Sequence, residues 1–249
     1  MTTLILALVA GAVVGLALGG LGGGGSVLAV PALIYLLGFT TAEATTASLV
    51  IVTLTSVTAL VGHARDGNVV WRTGLLFAAA GIVPAMLAGA AAGHLPQAVL
   101  TAAFSVIAAL AALRMLRPAT AVAVSGAEVN AGKAGAAGAG LGAVTGFLGV
   151  GGGFLAVPAL VGVLKLPMRR AVGTSLLVIT INSLAALGAR AGTGMHLDWA
   201  VIAPFTAAAM LGAWDGKRLS RKLKGGTLQR VFAYVLLAVA VSMLADTLF

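Results

Sequence analysis

Ten apolar runs dictate what this chain can become: roughly Leu4–Leu21, Ser26–Gly38, Ala44–Val61, Val69–Gly93 and Pro96–Leu116, then Ala134–Leu148, Phe154–Leu166, Ala171–Ala189, Trp199–Ala213 and Leu228–Phe249. Most of them reach or approach the ~20 apolar residues that a bilayer-crossing helix needs. Only 8% of the 249 residues are charged and 60% are hydrophobic, whereas a soluble domain is about 25% charged. So few charges cannot cover a water-facing surface. A soluble enzyme is excluded, the solvent is mainly lipid, and the fold class is an all-α polytopic membrane protein.

Ser26–Gly38 and Phe154–Leu166 are too short to cross, because such runs reach ~20 Å of a ~30 Å core. Each follows a glycine cluster, Gly22-Gly23-Gly24-Gly25 in one case and Gly149-Val150-Gly151-Gly152-Gly153 in the other. The match is part of an internal repeat. A shift of 127 residues aligns Gly19–Leu60 with Gly146–Leu187 without a gap, with 19 of 42 positions identical. Leu28-Ala29-Val30-Pro31-Ala32-Leu33 returns as Leu155-Ala156-Val157-Pro158-Ala159-Leu160, and Ser48, Thr53 and Ser56 return as Ser175, Thr180 and Ser183. Residues 1–116 and 134–249 are therefore read as two repeats of five helical segments each, joined by a polar linker over 117–133.

The net charge of +9 is a topology signal rather than a nucleic-acid footprint. If each half makes an odd number of net crossings, fourteen of the fifteen Lys and Arg residues fall on one side, leaving Arg190 opposite. Parallel copies would split them six against nine. The positive-inside rule then predicts inverted-topology repeats, basic loops in the cytoplasm and both termini outside. The first two runs of each half are either two crossings or a hairpin that returns to its own face; the loop charges fit both. The N-terminus MTTLILALVAG lacks a basic n-region and reads as mature protein.

Polyglycine exposes backbone that hydrocarbon does not tolerate, unless it is buried in protein or lines a polar cavity. Each cluster leads into a helix, whose first N–H groups lack partners and carry partial positive charge. Gly22, Gly23, Gly24 and Gly25 with the Ser26 hydroxyl, and Gly149, Gly151, Gly152 and Gly153, are thus expected to cradle an anion without a basic side chain. Pro31 and Pro158 free further backbone groups about one turn inside their helices. The third run of each half adds hydroxyls and an amide, of which Ser48, Thr174, Ser175 and Asn182 are the substrate-binding candidates. Ser48 and Thr55, like Ser175 and Asn182, lie seven apart on one helical face. Each hydroxyl can equally satisfy a carbonyl of its own helix. Asn182 is costly in mid-membrane without partners.

No acid or base lies securely at the centre of a run, which argues against an intramembrane aspartyl protease and a carboxylate-relay pump. The chain has no cysteine, and His63, His94 and His196 never adopt metal-ligand spacing. His63 is read at a helix end, and neither a catalytic group, a metal nor a cofactor is expected. Lys217–Lys224 reads as a topology signal and lipid contact, and Trp71, Trp199 and Trp214 as interfacial anchors.

The paired segments GGLGGGGSVLAVPALIYLLGFTTAEATTASL and GFLGVGGGFLAVPALVGVLKLPMRRAVGTSL resemble the TauE/SafE family, over essentially the whole chain. The resemblance implies a bacterial inner-membrane exporter or permease of sulfite or organosulfonates, and by position it implicates Gly22–Ser26, Gly149–Gly153 and the regions of Ser48 and Ser175. The copies differ where Glu43 faces Arg170 and Thr46 faces Gly173. The expectation is a secondary transporter of a small sulfur-containing anion working by alternating access. A coupling ion, H+ or Na+, membrane lipids and a homodimer are its open partners. A passive anion channel and a non-transporting scaffold are the rival classes.

Overall fold

The computed structural model describes residues 2–92, 97–116, 131–148, 153–190 and 198–248. Ten α-helices and no strand occupy them: α1 (Thr2–Leu21), α2 (Gly24–Pro31), α3 (Thr41–Arg65), α4 (Trp71–Ala92), α5 (Gln97–Leu116), α6 (Ala131–Leu148), α7 (Gly153–Gly162), α8 (Met168–Arg190), α9 (Trp199–Lys222) and α10 (Gly225–Leu248). Among the described residues, five helices are long and apolar enough to cross a membrane: α1, α3, α4, α8 and α10. The helices match the ten apolar runs closely. α6 begins three residues before its run, and α9 continues nine residues past Ala213 into charged sequence.

The helix starts are written in polar residues. Thr40 and Glu43 form a capping box on α3, with the Glu43 carboxylate accepting from the Thr40 N–H at 3.0 Å and from its hydroxyl at 2.7 Å. Asp198 caps α9 by accepting the Ala200 N–H at 3.0 Å. Asp66 and Asp215 are held in ion pairs instead.

Helix pairing rests on glycine. α1 lies most extensively on α9, and α4 on α6. A Cβ on Gly11, Gly15 or Gly19 would strike the backbone of Phe205, Ala209 or Ala213, and one on Gly138 or Gly142 would strike that of Phe77 or Gly81. Small residues every fourth position let the helix backbones touch, which substitutes for the missing hydrophobic drive in lipid. Gly138 and Gly142 stand 127 residues after Gly11 and Gly15, and Phe205 and Ala209 stand 128 after Phe77 and Gly81. The two contacts are thus one contact made twice.

α1 and the segment after it form an antiparallel hairpin. Gly25 packs on Leu18, and an apolar groove of about 400 Å³ is lined by Leu6 and Val9 on one arm and Pro31 and Tyr35 on the other. Behind Pro31 the chain makes a π-helical turn over Ala32–Leu36, as expected where a proline removes an N–H from the ladder. The first two segments are therefore antiparallel arms joined by a tight turn, a geometry that two crossings and a hairpin share. α7 ends in the same way as this arm. The Phe39 N–H reaches the Leu33 carbonyl at 3.1 Å and the Leu166 N–H reaches the Leu160 carbonyl at 3.0 Å, with left-handed Gly38 and Lys165 (φ 73° and 56°) at matching places.

One end of the bundle collects the basic residues. There the ends of α1 and α3 meet through Gly19 and His63, and Asp66 meets Lys217 and Arg221 at the end of α9. The starts of α4 and α8 meet through Val70 and Thr174, and the end of α5 and start of α10 through Met115 and Gln229. Arg169 donates to carbonyls at the end of α9, that of Arg221 and that of Leu223 just past the helix, both at 3.0 Å.

Candidate functional site

Two broken segments, α2 and α7, begin side by side. A Cβ on Gly153 would stand 2.8 Å from the Ser26 hydroxyl and 2.8 Å from Ile179 of α8. Ser26 and Gly153 are equivalent positions, 127 residues apart. The structure therefore brings the first glycine segment to the start of the second one's helix.

Gly22 makes the turn between α1 and α2 with φ 69°, a region that costs a residue with a Cβ about 1–2 kcal/mol. It also lies under α8: a Cβ there would stand 2.5 Å from the Ser175 hydroxyl and 3.3 Å from Val157. The tight turn uses part of its own donor set. The Gly25 N–H bonds the Gly22 carbonyl at 3.2 Å, the Ser26 N–H bonds Gly23 at 3.3 Å, and the Ser26 hydroxyl donates to Gly23 at 2.7 Å. Gly149, Gly151 and Gly152 lie outside the described residues.

Ser48, Thr55 and Ser56 on α3 and Thr174, Ser175, Thr180 and Ser183 on α8 are buried. Ser48 donates to the Thr45 carbonyl at 2.8 Å and Ser175 to Val172 at 2.8 Å, so both satisfy their own helix. Thr174 accepts the Val70 N–H at 3.0 Å and thereby fixes the start of α4. Ser56 and Thr180 join α3 to α8 through a 2.9 Å bond. Thr55 is fully buried, and its hydroxyl has no partner among the described residues. Asn182, its counterpart by the 127-residue shift, is half-buried. Thus Gly22, Ser26, Gly153 and Ser175 come together, while Thr174 serves a loop.

One polar cluster was hidden from the apolar-run reading. His63 lies in the last turn of α3, the helix end that the sequence predicts, yet it is only 3% exposed, and its Nε2 donates to the Gly19 carbonyl at 3.0 Å. Lys217 is 7% exposed and pairs with Asp66 at 3.1 Å, its stem lying over Gly62. It is no lipid contact. The signal was present in the small-residue row: from Gly212 it runs on through Gly216 and Ser220, beyond Ala213, and carries Lys217 inward. Trp71 and Trp199 are about half exposed at helix starts, as interfacial anchors are. Trp214 instead takes the Lys217 ammonium over its ring at 5.7 Å.

The family model described as "Sulfite exporter TauE/SafE" matches residues 7–243. Two relatives, each named "Probable membrane transporter protein", come from Xylella fastidiosa strains 9a5c and Temecula1 / ATCC 700964. Each is 34% identical over 246 residues, covering 96% of this chain and 94% of the relative. "Probable membrane transporter protein YunE" of Bacillus subtilis (strain 168) is 27% identical over 109 residues, 44% of this chain and 40% of its own. No solved structure matches the chain.

Proposed function

The chain belongs to the sulfite exporter TauE/SafE family and is a membrane transporter, not an enzyme; from that premise we propose that it carries a small sulfur-containing anion, sulfite or an organosulfonate, across the bacterial inner membrane by alternating access. The two repeats lie inverted in the membrane, with the basic end of the bundle cytoplasmic and both termini outside. The observation that carries the reading is the meeting of Ser26 with Gly153 beside Gly22 and Ser175. Polar backbone from both copies converges there among hydroxyls, and no formal charge from the described residues is needed to hold an anion. A dipole site of this kind binds through N–H groups and helix N-termini. It also releases more readily than a buried arginine would. Supporting the inversion, matched helices run oppositely at the basic end: α3 and α5 finish where α8 and α10 start.

The movement that alternates access is assigned to the glycine clusters between α1 and α2 and between α6 and α7. The α1–α9 and α4–α6 pairs, locked backbone to backbone, are the units that move as bodies. The test is a flux panel in proteoliposomes with sulfite, thiosulfate, sulfate, methanesulfonate and a carboxylate. Flux of sulfite or methanesulfonate that concentrates the anion under an imposed ion gradient is expected. Flux that only dissipates gradients means a channel, and no flux with no thermal shift by any anion means a scaffold. Replacing Gly24 or Gly151 by Val should abolish transport without preventing insertion; undiminished transport in both would sink the site assignment.

A further inference from the structure

We infer that His63 is the proton site of this transporter, and that the proton bound there travels with the anion. The inference rests on the proposed transport reading and adds the coupling ion and its residue.

A carbonyl only accepts, so the 3.0 Å bond to Gly19 fixes the His63 proton on Nε2. Nδ1 then carries a lone pair. That atom is buried and has no hydrogen-bond partner among the described residues, and such an orphan inside a protein calls for an explanation. A stored acceptor for one proton supplies it. Histidine is the side chain whose charge changes near neutral pH.

The position ties that proton to the glycine turn. Gly19 lies three residues before Gly22, so the His63 bond holds α3 to the last turn of α1. Glycines on α3 and α8 let the neighbouring helices close around this residue. Gly173 of α8 presses on the Asn68 carbonyl and stands so that a Cβ would be 3.3 Å from His63 Cβ, and Gly62 admits the Lys217 stem of α9. Among the described residues, the charges that act on the ring are Lys217 on α9 and Asp66 after α3. α1 presents the Gly19 carbonyl and α8 presents Gly173, neither of them charged.

Charge then links the two ligands. Lys217, Arg221 and Asp66 sum to one net positive charge at this end of α1. A proton on Nδ1 makes it two, beside the turn that leads to Ser175. An arriving anion is attracted more strongly when His63 is charged, and by linkage the anion raises the affinity for the proton. Proton and anion load together, and a pH gradient drives the anion toward the alkaline side.

The test uses methanesulfonate, whose charge stays fixed over the range of about pH 5 to 8 in which histidine titrates. In wild-type proteoliposomes a one-unit gradient should accumulate it up to about tenfold and acidify the receiving side, read by an enclosed pH dye. In H63Q the amide still donates to Gly19 but takes no proton: counterflow exchange should persist and gradient-driven accumulation should vanish. Accumulation by H63Q equal to wild type, or wild-type flux indifferent to the gradient, overturns the proton site. Absence of wild-type flux for every anion in the panel fails the transport reading instead. Should H63Q not fold, the H94Q/H196Q protein leaves His63 as the sole histidine. Its imidazole 15N resonances should then titrate at higher pH with methanesulfonate present, and an unmoved midpoint overturns the inference.

Discussion

Ser56 on α3 and Thr180 on α8 share a buried hydrogen bond of 2.9 Å across 124 residues of chain. Each hydroxyl also faces a carbonyl of its own helix, Thr53 at 3.0 Å for Ser56 and Leu176 at 2.8 Å for Thr180. Two hydroxyl protons therefore serve three contacts. The bridge forms when one proton leaves its carbonyl, and the carbonyl's helical N–H bond remains. A contact that is exchanged so readily suits the place where α3 and α8 cross.

Ser56→Ala and Thr180→Val should consequently both insert and fold. A double-mutant cycle on thermal unfolding in detergent should return a coupling of about 0.6 kcal/mol, the size usual for hydrogen bonds between membrane helices. A coupling above about 2 kcal/mol would mean that the pair is a fixed strut.

The glycines of α1 and α6 divide sharply by position. Gly15→Ala thrusts a Cβ into the Ala209 backbone, whereas Gly140 has open space around its Cβ direction. Gly15→Ala should cost about 1–3 kcal/mol, as overpacking does. Gly140→Ala should gain up to about 1 kcal/mol from helix propensity. Thermal shift of the two purified variants checks both signs, and Gly142→Ala should behave like Gly15→Ala.

Much of the bundle was legible because lipid imposes length and apolarity on every crossing helix. The runs thus located all ten helices, and the register of Gly, Pro, Ser and Thr located the repeat. The Gly11, Gly15 and Gly19 row was present in sequence, but the partners that make it a contact, Phe205, Ala209 and Ala213, lie nearly two hundred residues away. Apolarity also misplaced the end of α9, since it stops at the first charges while the buried stripe continues through Gly216 to Lys217. His63 was missed for the same reason: burial at a helix end is set by neighbours. The hydroxyls Ser48 and Ser175 were found by composition, but composition does not say whether a hydroxyl faces its own helix, and here both do.

Asp66 and Lys217 should respond unequally to neutralisation. Asp66→Asn strands a Lys217 ammonium whose side chain is 9% exposed, whereas Lys217→Met removes the charge and keeps an apolar stem over Gly62. Breaking a buried pair from one side leaves an uncompensated charge. Asp66→Asn should therefore lower stability by about 1–3 kcal/mol, and Lys217→Met by clearly less. Equal losses in a denaturation series would show that packing, not charge, governs this end.

Two left-handed glycines make a further pair. Gly38 has φ 73° with open space around its Cβ direction, while Gly22 has φ 69° and lies under the Ser175 hydroxyl. Gly38→Ala meets conformational strain alone, about 1–2 kcal/mol, and should transport normally once folded. Gly22→Ala meets the same strain and a collision at the proposed site. Its flux should fall at least tenfold beyond what its stability loss explains.

The last expectation concerns the meeting of the two glycine-led segments. A Cβ at Gly153 would collide with the Ser26 hydroxyl and with Ile179 of α8, so Gly153→Ala must push α7 away from α2 or from α8. Removing the Ser26 oxygen relieves one of the two collisions and leaves the other. If the copies meet as described, Ser26→Ala should restore part of the flux lost in Gly153→Ala, and the two substitutions should be non-additive, as neighbours in contact are. The same double substitution should not rescue Gly22→Ala, whose obstacle is Ser175. Strict additivity of Ser26→Ala and Gly153→Ala in transport would place the two positions apart during the cycle, and with them the shared site.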